Sequence, residues 1–237
     1  MTKRGKNYQK AVEQLDETKT YSPQEAVGLI KKTAYAKFDE TVELHLRMGV
    51  DPRNSSQQVR GVVLLPHGLG KKVRILVFAE GEAEKIAKEA GADFAGGDEL
   101  IKKIEGGWLG FDTTIATRDM MSKVGRLGKI LGRRGLMPNP KLGTVVVADD
   151  LPRVIGDAGK GRVEFKLDRT AIIHIPLGKV SFDEDKLMDN LTAMIEALMK
   201  AKPSGLKGHY VKTASLTATM GPGVKLDLKP TLALTSG

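Results

Sequence analysis

Residues 125–143 read GRLGKILGRRGLMPNPKLG, with a glycine every three or four positions interleaved with arginine and lysine. Bare backbone beside cationic side chains suits three tasks: cradling a nucleotide phosphate, approaching a nucleic-acid backbone, or shaping an irregular turn. The nucleotide fingerprints are absent. No G-x-G-x-x-G follows a strand-like run, G-x-x-x-x-G-K-[ST] does not occur, and HGLGKK at 67–72 lacks both the spacing and the hydroxyl. The cationic signal is local. Arg118, Lys123, Arg126, Lys129, Arg133, Arg134 and Lys141 face a single carboxylate, Asp119, for a net of +6 over 118–141. Met120, Val124, Leu127 and Leu131 form an apolar stripe at helical spacing, which predicts an inward-docked helix turning Lys123, Arg126 and Lys129 outward. Gly132 and Gly135 end it, and Pro138 and Pro140 stiffen the exit.

Other catalytic chemistry is missing. Cysteine is absent, which excludes disulfides, thiolate zinc sites and thiol nucleophiles. The histidines at 45, 67, 174 and 209 show no paired ligand spacing, and no serine sits in a nucleophile elbow. No catalytic residue, metal site or cofactor is therefore expected. His45 and His174 fall in strand-like runs, as structural or RNA-facing groups. In YVKTASLTATMGPG at 210–223 the odd positions Val211, Thr213, Ser215, Thr217 and Thr219 share one strand face. That face is either an ordinary wet sheet surface or a set of hydroxyls for RNA sugars, and composition does not separate the two.

The elements that must position these groups follow from periodicity. SPQEAVGLIKK has Ser22 as N-cap, Pro23 at the first helical position and Glu25 completing a capping box. TVELHLRMGV alternates Val42, Leu44, Leu46, Met48 and Val50 against Thr41, Glu43, His45 and Arg47, a strand with one wet face, and VRGVVLL reads as its antiparallel partner. Beyond PHGLGKK the texture changes. Apolar VRILVFA precedes helical EAEKIAKEA and DELIKKI, strand TTIAT, a helix from Asp119, strand TVVVA and a helix from Asp150, which is the pattern of a parallel doubly wound unit. After the glycine-rich GDAGKGR the strands are one-faced again: RVEFKL, TAIIHIP, YVKTASLTATM and GVKLDL, with a helix striped by Leu187, Leu191, Met194, Ile195 and Leu198. DEDK at 183–186 marks that helix's N-terminus.

The predicted architecture is α/β in two domains. A two-layer α+β domain spans 1–66 and 161–237, and a Rossmann-like three-layer domain with a parallel sheet is inserted at 67–160. The 237 residues suffice for two cores, and the net charge of +9 biases the chain toward polyanions without establishing nucleic acid. No run approaches the roughly 18 apolar residues of a membrane span, and MTKRGKNYQK precedes no apolar targeting segment. The alternative reading, a nucleotide-dependent enzyme built on the middle domain, rests only on its Rossmann-like pattern.

KFDETVEL at 37–44, LGKILGRRGLMPNPKLGTV at 127–145 and TATMGPGVKL at 217–226, together with LPHGLGK and GADFAGGDELIKKI, resemble the bacterial-type ribosomal protein L-one family of the mobile large-subunit stalk. The resemblance runs in order over nearly the whole chain. It implies a non-enzymatic protein that binds large-subunit ribosomal RNA at the stalk, assists movement and release of exit-site tRNA, and represses translation by binding its own operon mRNA. It also implies a cytoplasmic, ribosome-bound protein, monomeric when free, with no cofactor, small-molecule substrate or membrane partner. The implied RNA-binding residues are Phe38, Thr41, Thr219, Met220 and Gly221, with Lys37, Thr213 and Thr217 beside them. Arg126, Lys129, Arg133 and Arg134 are implied secondary contacts, the glycine-rich motif serving either RNA or its own fold. Ala218 interrupts a tract that is often richer in hydroxyls in this family.

Overall fold

The computed structural model describes residues 5–16, 18–203, 206 and 208–234. They form two compact units, Met1–Gly70 with Val163–Gly237, and Lys71–Arg162. The first boundary falls beyond the expected 66/67 because the buried Asn190 holds the connection: its Oδ1 accepts from the His67 amide and its Nδ2 donates to the Gly68 carbonyl.

The first unit opens with α1 (Lys6–Val12) and α2 (Pro23–Thr33), the latter started by the expected capping box between Ser22 and Glu25. Strand β1 (Thr41–Met48) buries Val42, Leu44, Leu46 and Met48 and leaves the alternate residues on a wet face. β2 (Arg60–Leu64) does not pair with β1, contrary to the sequence-based expectation. Both edges of the eight-residue β1 are taken instead by strands of equal length that arrive after the insertion.

The second unit carries β3 (Ile75–Phe78), α3 (Glu82–Glu89), β4 (Phe94–Gly96), α4 (Asp98–Glu105), β5 (Thr113–Thr117), short helical turns α5 (Met121–Val124) and α6 (Gly128–Leu131), β6 (Val145–Val146) and α7 (Leu151–Gly159). The sheet order is β4-β3-β5-β6, all parallel. Leu76 and Phe78 pack toward α4 and the 120–131 segment, while Ile75 and Val77 pack toward α3 and α7. A strand covered on both faces must be apolar throughout, which explains VRILVFA. β4 is a strand that sequence reading did not resolve, because GADFAGG supplies only three paired residues. The single helix expected from Asp119 is broken into α and 3-10 turns, as Gly125, Gly128 and Gly132 disfavour a continuous ladder.

The chain returns with β7 (Arg162–Lys166), β8 (Ile172–Lys179), α8 (Glu184–Lys200), β9 (Val211–Ala218), β10 (Val224–Lys225) and α9 (Leu228–Leu232). β7 pairs with β2, and the main antiparallel sheet of the first unit runs β10-β9-β1-β8. Phe165 of β7 lies against Gly61 of β2, where any Cβ would collide with its ring. The inner face of the main sheet joins α2 and α8 in one core with Ile30, Leu191, Met194 and Ile195, and the alternate residues of β1 and β9 lie on the other face, half-buried to exposed. Among the described residues, no helix is long and apolar enough to cross a membrane.

Candidate nucleic-acid interface

The start of β1 and the end of β9 lie side by side, with Val42 opposite Ala218, so two segments far apart in sequence meet at one corner of the sheet. There the acidic and hydroxyl side chains of FDET are consumed by the protein itself. Asp39 accepts from the Ser181 amide at 3.1 Å and the Ser181 hydroxyl at 2.7 Å. Glu40 is only 1% exposed. Its Oε1 accepts from the amides of Tyr35 and Ala36 at 3.1 and 2.8 Å, and its Oε2 accepts from the Met220 amide at 2.9 Å. The Tyr35 hydroxyl donates to the Met220 carbonyl at 2.9 Å. Thr41 donates its amide to the Thr219 hydroxyl at 3.0 Å, and its own hydroxyl accepts from Lys179 Nζ at 2.9 Å. Gly221 N donates to the Ala218 carbonyl at 3.1 Å and closes the turn that carries Thr219 and Met220.

Asp39 and Thr219 are exposed but engaged by these partners, and beside them stand outward groups that are apolar or cationic. Phe38 is 56% exposed and Met220 49%, and Phe38 is therefore a surface residue and not core. Lys37 beside it is exposed and makes no hydrogen bond or ion pair among the described residues. Large apolar side chains held outward by a hydrogen-bonded polar frame are the composition expected of a binding surface.

The wet face of the sheet continues from this corner. Thr217 is engaged by His45, whose Nε2 lies 3.1 Å from its hydroxyl. His45 Nδ1 lies 2.7 Å from Nδ1 of His174 on β8, so one ring donates and the other accepts. Burial, and then the neighbouring His174, lower the pKa of His45. Thr213 is exposed. The regular face expected for 211–219 is interrupted: β9 slips by one residue near Met48, so Val211 turns into the core while Lys212 and Thr213 both face solvent. Ala218 is buried at 3%, which removes position 218 from any contact surface.

In the second unit the distribution is reversed. Met120, Val124, Leu127 and Leu131 are buried as the stripe requires. Arg126, Lys129, Arg133 and Arg134 lie on its surface, unpaired among the described residues. Lys123, expected outward with them, is at the surface but paired: Glu80 at 2.5 Å and Asp98 at 3.3 Å bind it and raise its pKa. The glycines divide into two groups. Gly135 and Gly143 have φ of +71° and +64°, which only glycine adopts without strain, and the loop before Gly143 is tied by Asn139, Thr144 and a bond from Arg162 to the Leu142 carbonyl. Gly125, Gly128 and Gly132 have ordinary helical φ, and a Cβ on any of them would meet nothing. At the carboxyl ends of β3 and β4, where such a sheet holds a nucleotide, α3 and α4 begin with Glu82, Glu84, Asp98 and Glu99, which repel phosphate. Among the described residues no group of three side chains fits a metal ion.

Residues 30–222 match the model of the Ribosomal protein L1p/L10e family. The chain belongs to that family. It is 62% identical over 234 residues, 99% of each chain, to proteins named "Large ribosomal subunit protein uL1" from three strains of Dehalococcoides mccartyi. As a member of the family it is a structural ribosomal protein and not an enzyme, which sets aside the nucleotide-dependent reading.

Sequence reading selected Phe38, Thr41, Thr219, Met220 and Gly221 as one cluster, and the fold does bring them together. It did not select Glu40, Tyr35, Asp39 or Ser181, whose partners lie on other segments. A carboxylate at an otherwise core-facing position, preceding the Val42 alternation, is the only signal in the sequence for Glu40.

Proposed function

We propose that this protein binds large-subunit ribosomal RNA through the corner formed by 37–41 and 219–221, as a component of the large subunit's stalk in the cytoplasm. The supporting observation is the exposure of Phe38 and Met220 on a frame whose polar groups are internally satisfied, beside Lys37, which is unpaired among the described residues. Phe38 and Met220 offer stacking and apolar contact to bases or ribose, Lys37 meets phosphate, and the Gly221 turn lets an RNA backbone approach closely. Thr41, Thr217 and Thr219 hold this surface in shape, their hydroxyls already having protein partners, while the exposed Thr213 offers a hydroxyl to ribose. The RNA-binding domain is the discontinuous first unit. Excising 71–162 and joining the flanks with a short glycine linker leaves a folded domain that retains stalk-RNA affinity. Loss of binding by a folded excised protein would move the main site to the second unit.

The outward Arg126, Lys129, Arg133 and Arg134 support contact of the second unit with exit-site tRNA during its movement and release. Repression follows if the operon mRNA presents the same RNA shape to the same corner. A stalk-RNA fragment then competes fully with that mRNA for the free monomer, and simultaneous binding of both would exclude this mode of repression.

A further inference from the structure

We propose that Glu40, with the Tyr35 hydroxyl, is the positioning device that makes Phe38 and Met220 one RNA-binding surface. The inference rests on the RNA-binding reading above and deepens it. A carboxyl group at 1% exposure, with no ion pair among the described residues, is a costly group to bury, and an apolar residue would serve a purely structural core better. Glu40 is instead satisfied by three backbone amides, and the division between its two oxygens is the informative feature. One oxygen holds Tyr35 and Ala36, directly ahead of Lys37 and Phe38, and the other holds Met220. The β1–β9 ladder ends at Val42 and Ala218, so beyond that pair side chains hold the two segments together. The Tyr35 hydroxyl closes the ring by donating to the Met220 carbonyl, so both backbone groups of Met220 are fixed by the 35–40 segment. Asp39 and Thr41 fasten the same segment to Ser181, Lys179 and Thr219. Every polar side chain of FDET is thus spent on geometry, and Phe38 is what the geometry presents.

Only a group that accepts on both oxygens fits between these amides. Glu40→Gln keeps the volume but turns an NH2 toward one of the amide donors, so it releases either the Tyr35–Ala36 pair or Met220. The test measures stalk-RNA affinity by filter binding at two salt concentrations, well below the melting temperature of each variant. Glu40→Gln is expected to weaken binding on the order of 10-fold or more with an unchanged salt dependence, because no phosphate contact is removed. The core truncation Leu198→Ala, which destabilises the same unit from its far layer, is expected to leave affinity within about 2-fold while folded. In the Glu40→Gln background, Met220→Ala is expected to add less than about 2-fold, because Met220 is no longer held for contact. Tyr35→Phe, a milder variant that keeps the carboxylate, is expected to lose about 3-fold and serves alone should Glu40→Gln not fold. If Met220→Ala weakens binding but Glu40→Gln and Tyr35→Phe bind like the wild type, the positioning role is overturned and the RNA-binding reading stands. If Leu198→Ala loses as much affinity as Glu40→Gln, general destabilisation explains both and the positioning role also falls. If neither Phe38→Ala nor Met220→Ala weakens binding, the reading itself fails and takes this inference with it.

Discussion

The two candidate surfaces spend their side chains in opposite ways. At the corner of the first unit, carboxylates and hydroxyls fasten the protein's own segments, Glu40 from the interior and Asp39 and Thr219 at the surface, and apolar Phe38 and Met220 stay outside without such partners. In the second unit, Met120, Val124, Leu127 and Leu131 turn inward and cations stay outside. If the first surface binds RNA as proposed, it does so by shape and apolar contact and owes little to ionic strength. The second is a field source that acts on any polyanion and is screened by salt. A motif's composition therefore does not give its surface chemistry, which is what remains after the fold has used what it needs.

The largest effect should come from the corner. Replacing Phe38 and Met220 together with alanine is expected to reduce stalk-RNA affinity by about 100-fold or more at low and high salt alike, since stacking and apolar contacts are worth about 1–3 kcal/mol each. A loss confined to low salt would erase the contrast between the two surfaces.

Next in size is the basic segment. Alanine at Arg126, Lys129, Arg133 and Arg134 is expected to lower binding several-fold in dilute buffer and not at all in high salt. The slope of log affinity against log salt shrinks by up to about 0.7 for each phosphate of single-stranded RNA that is no longer neutralised. An equal weakening at both salt concentrations would make these side chains specific contacts and not a general field.

Smaller still are the glycines. Gly125→Ala, Gly128→Ala and Gly132→Ala are each expected to stabilise the second unit by about 0.5–1 kcal/mol, since their φ is helical and a Cβ there meets nothing. Gly143→Ala, at φ of +64°, is expected to destabilise it. Thermal unfolding of the four variants would sharpen which half of the motif serves its own fold.

The smallest expected effect is that of pH at the sheet face. His45 has a folded pKa below its ordinary value of about 6.5, so the unfolded chain takes up its proton first as pH falls. Stability should therefore decline slightly below about pH 6.5 and be flat above it on this account. His45→Gln should flatten the low-pH limb in thermal melts, and an unchanged limb would assign the decline to other groups.

Much of the fold was legible because its signals are local. The Ser22–Glu25 cap, the β1 alternation and the buried stripe of 120–131 each depend on neighbours within a few residues, and all three hold. What failed were pairing and continuity. β2 looked like the partner of β1 by adjacency, yet strand partners are chosen by length and burial across the whole chain. The helix from Asp119 looked continuous by its apolar stripe, which survives even though the backbone beneath it is broken by glycine.

By itself the sequence determined the two layer types, the interruption of one unit by another, and the absence of cysteine or nucleotide-motif chemistry, because periodicity and composition are properties of the chain before it folds. Its resemblance to the family, and not its periodicity, placed Phe38 and Met220 among the candidates. Only the tertiary structure decided that Thr41 and Thr219 answer each other, that Lys123 is taken by Glu80 and Asp98, and that Glu40 binds both halves of the corner. The reason is that a polar side chain is free or spent according to partners it meets in space, and for Glu40 and Met220 that meeting spans 180 residues.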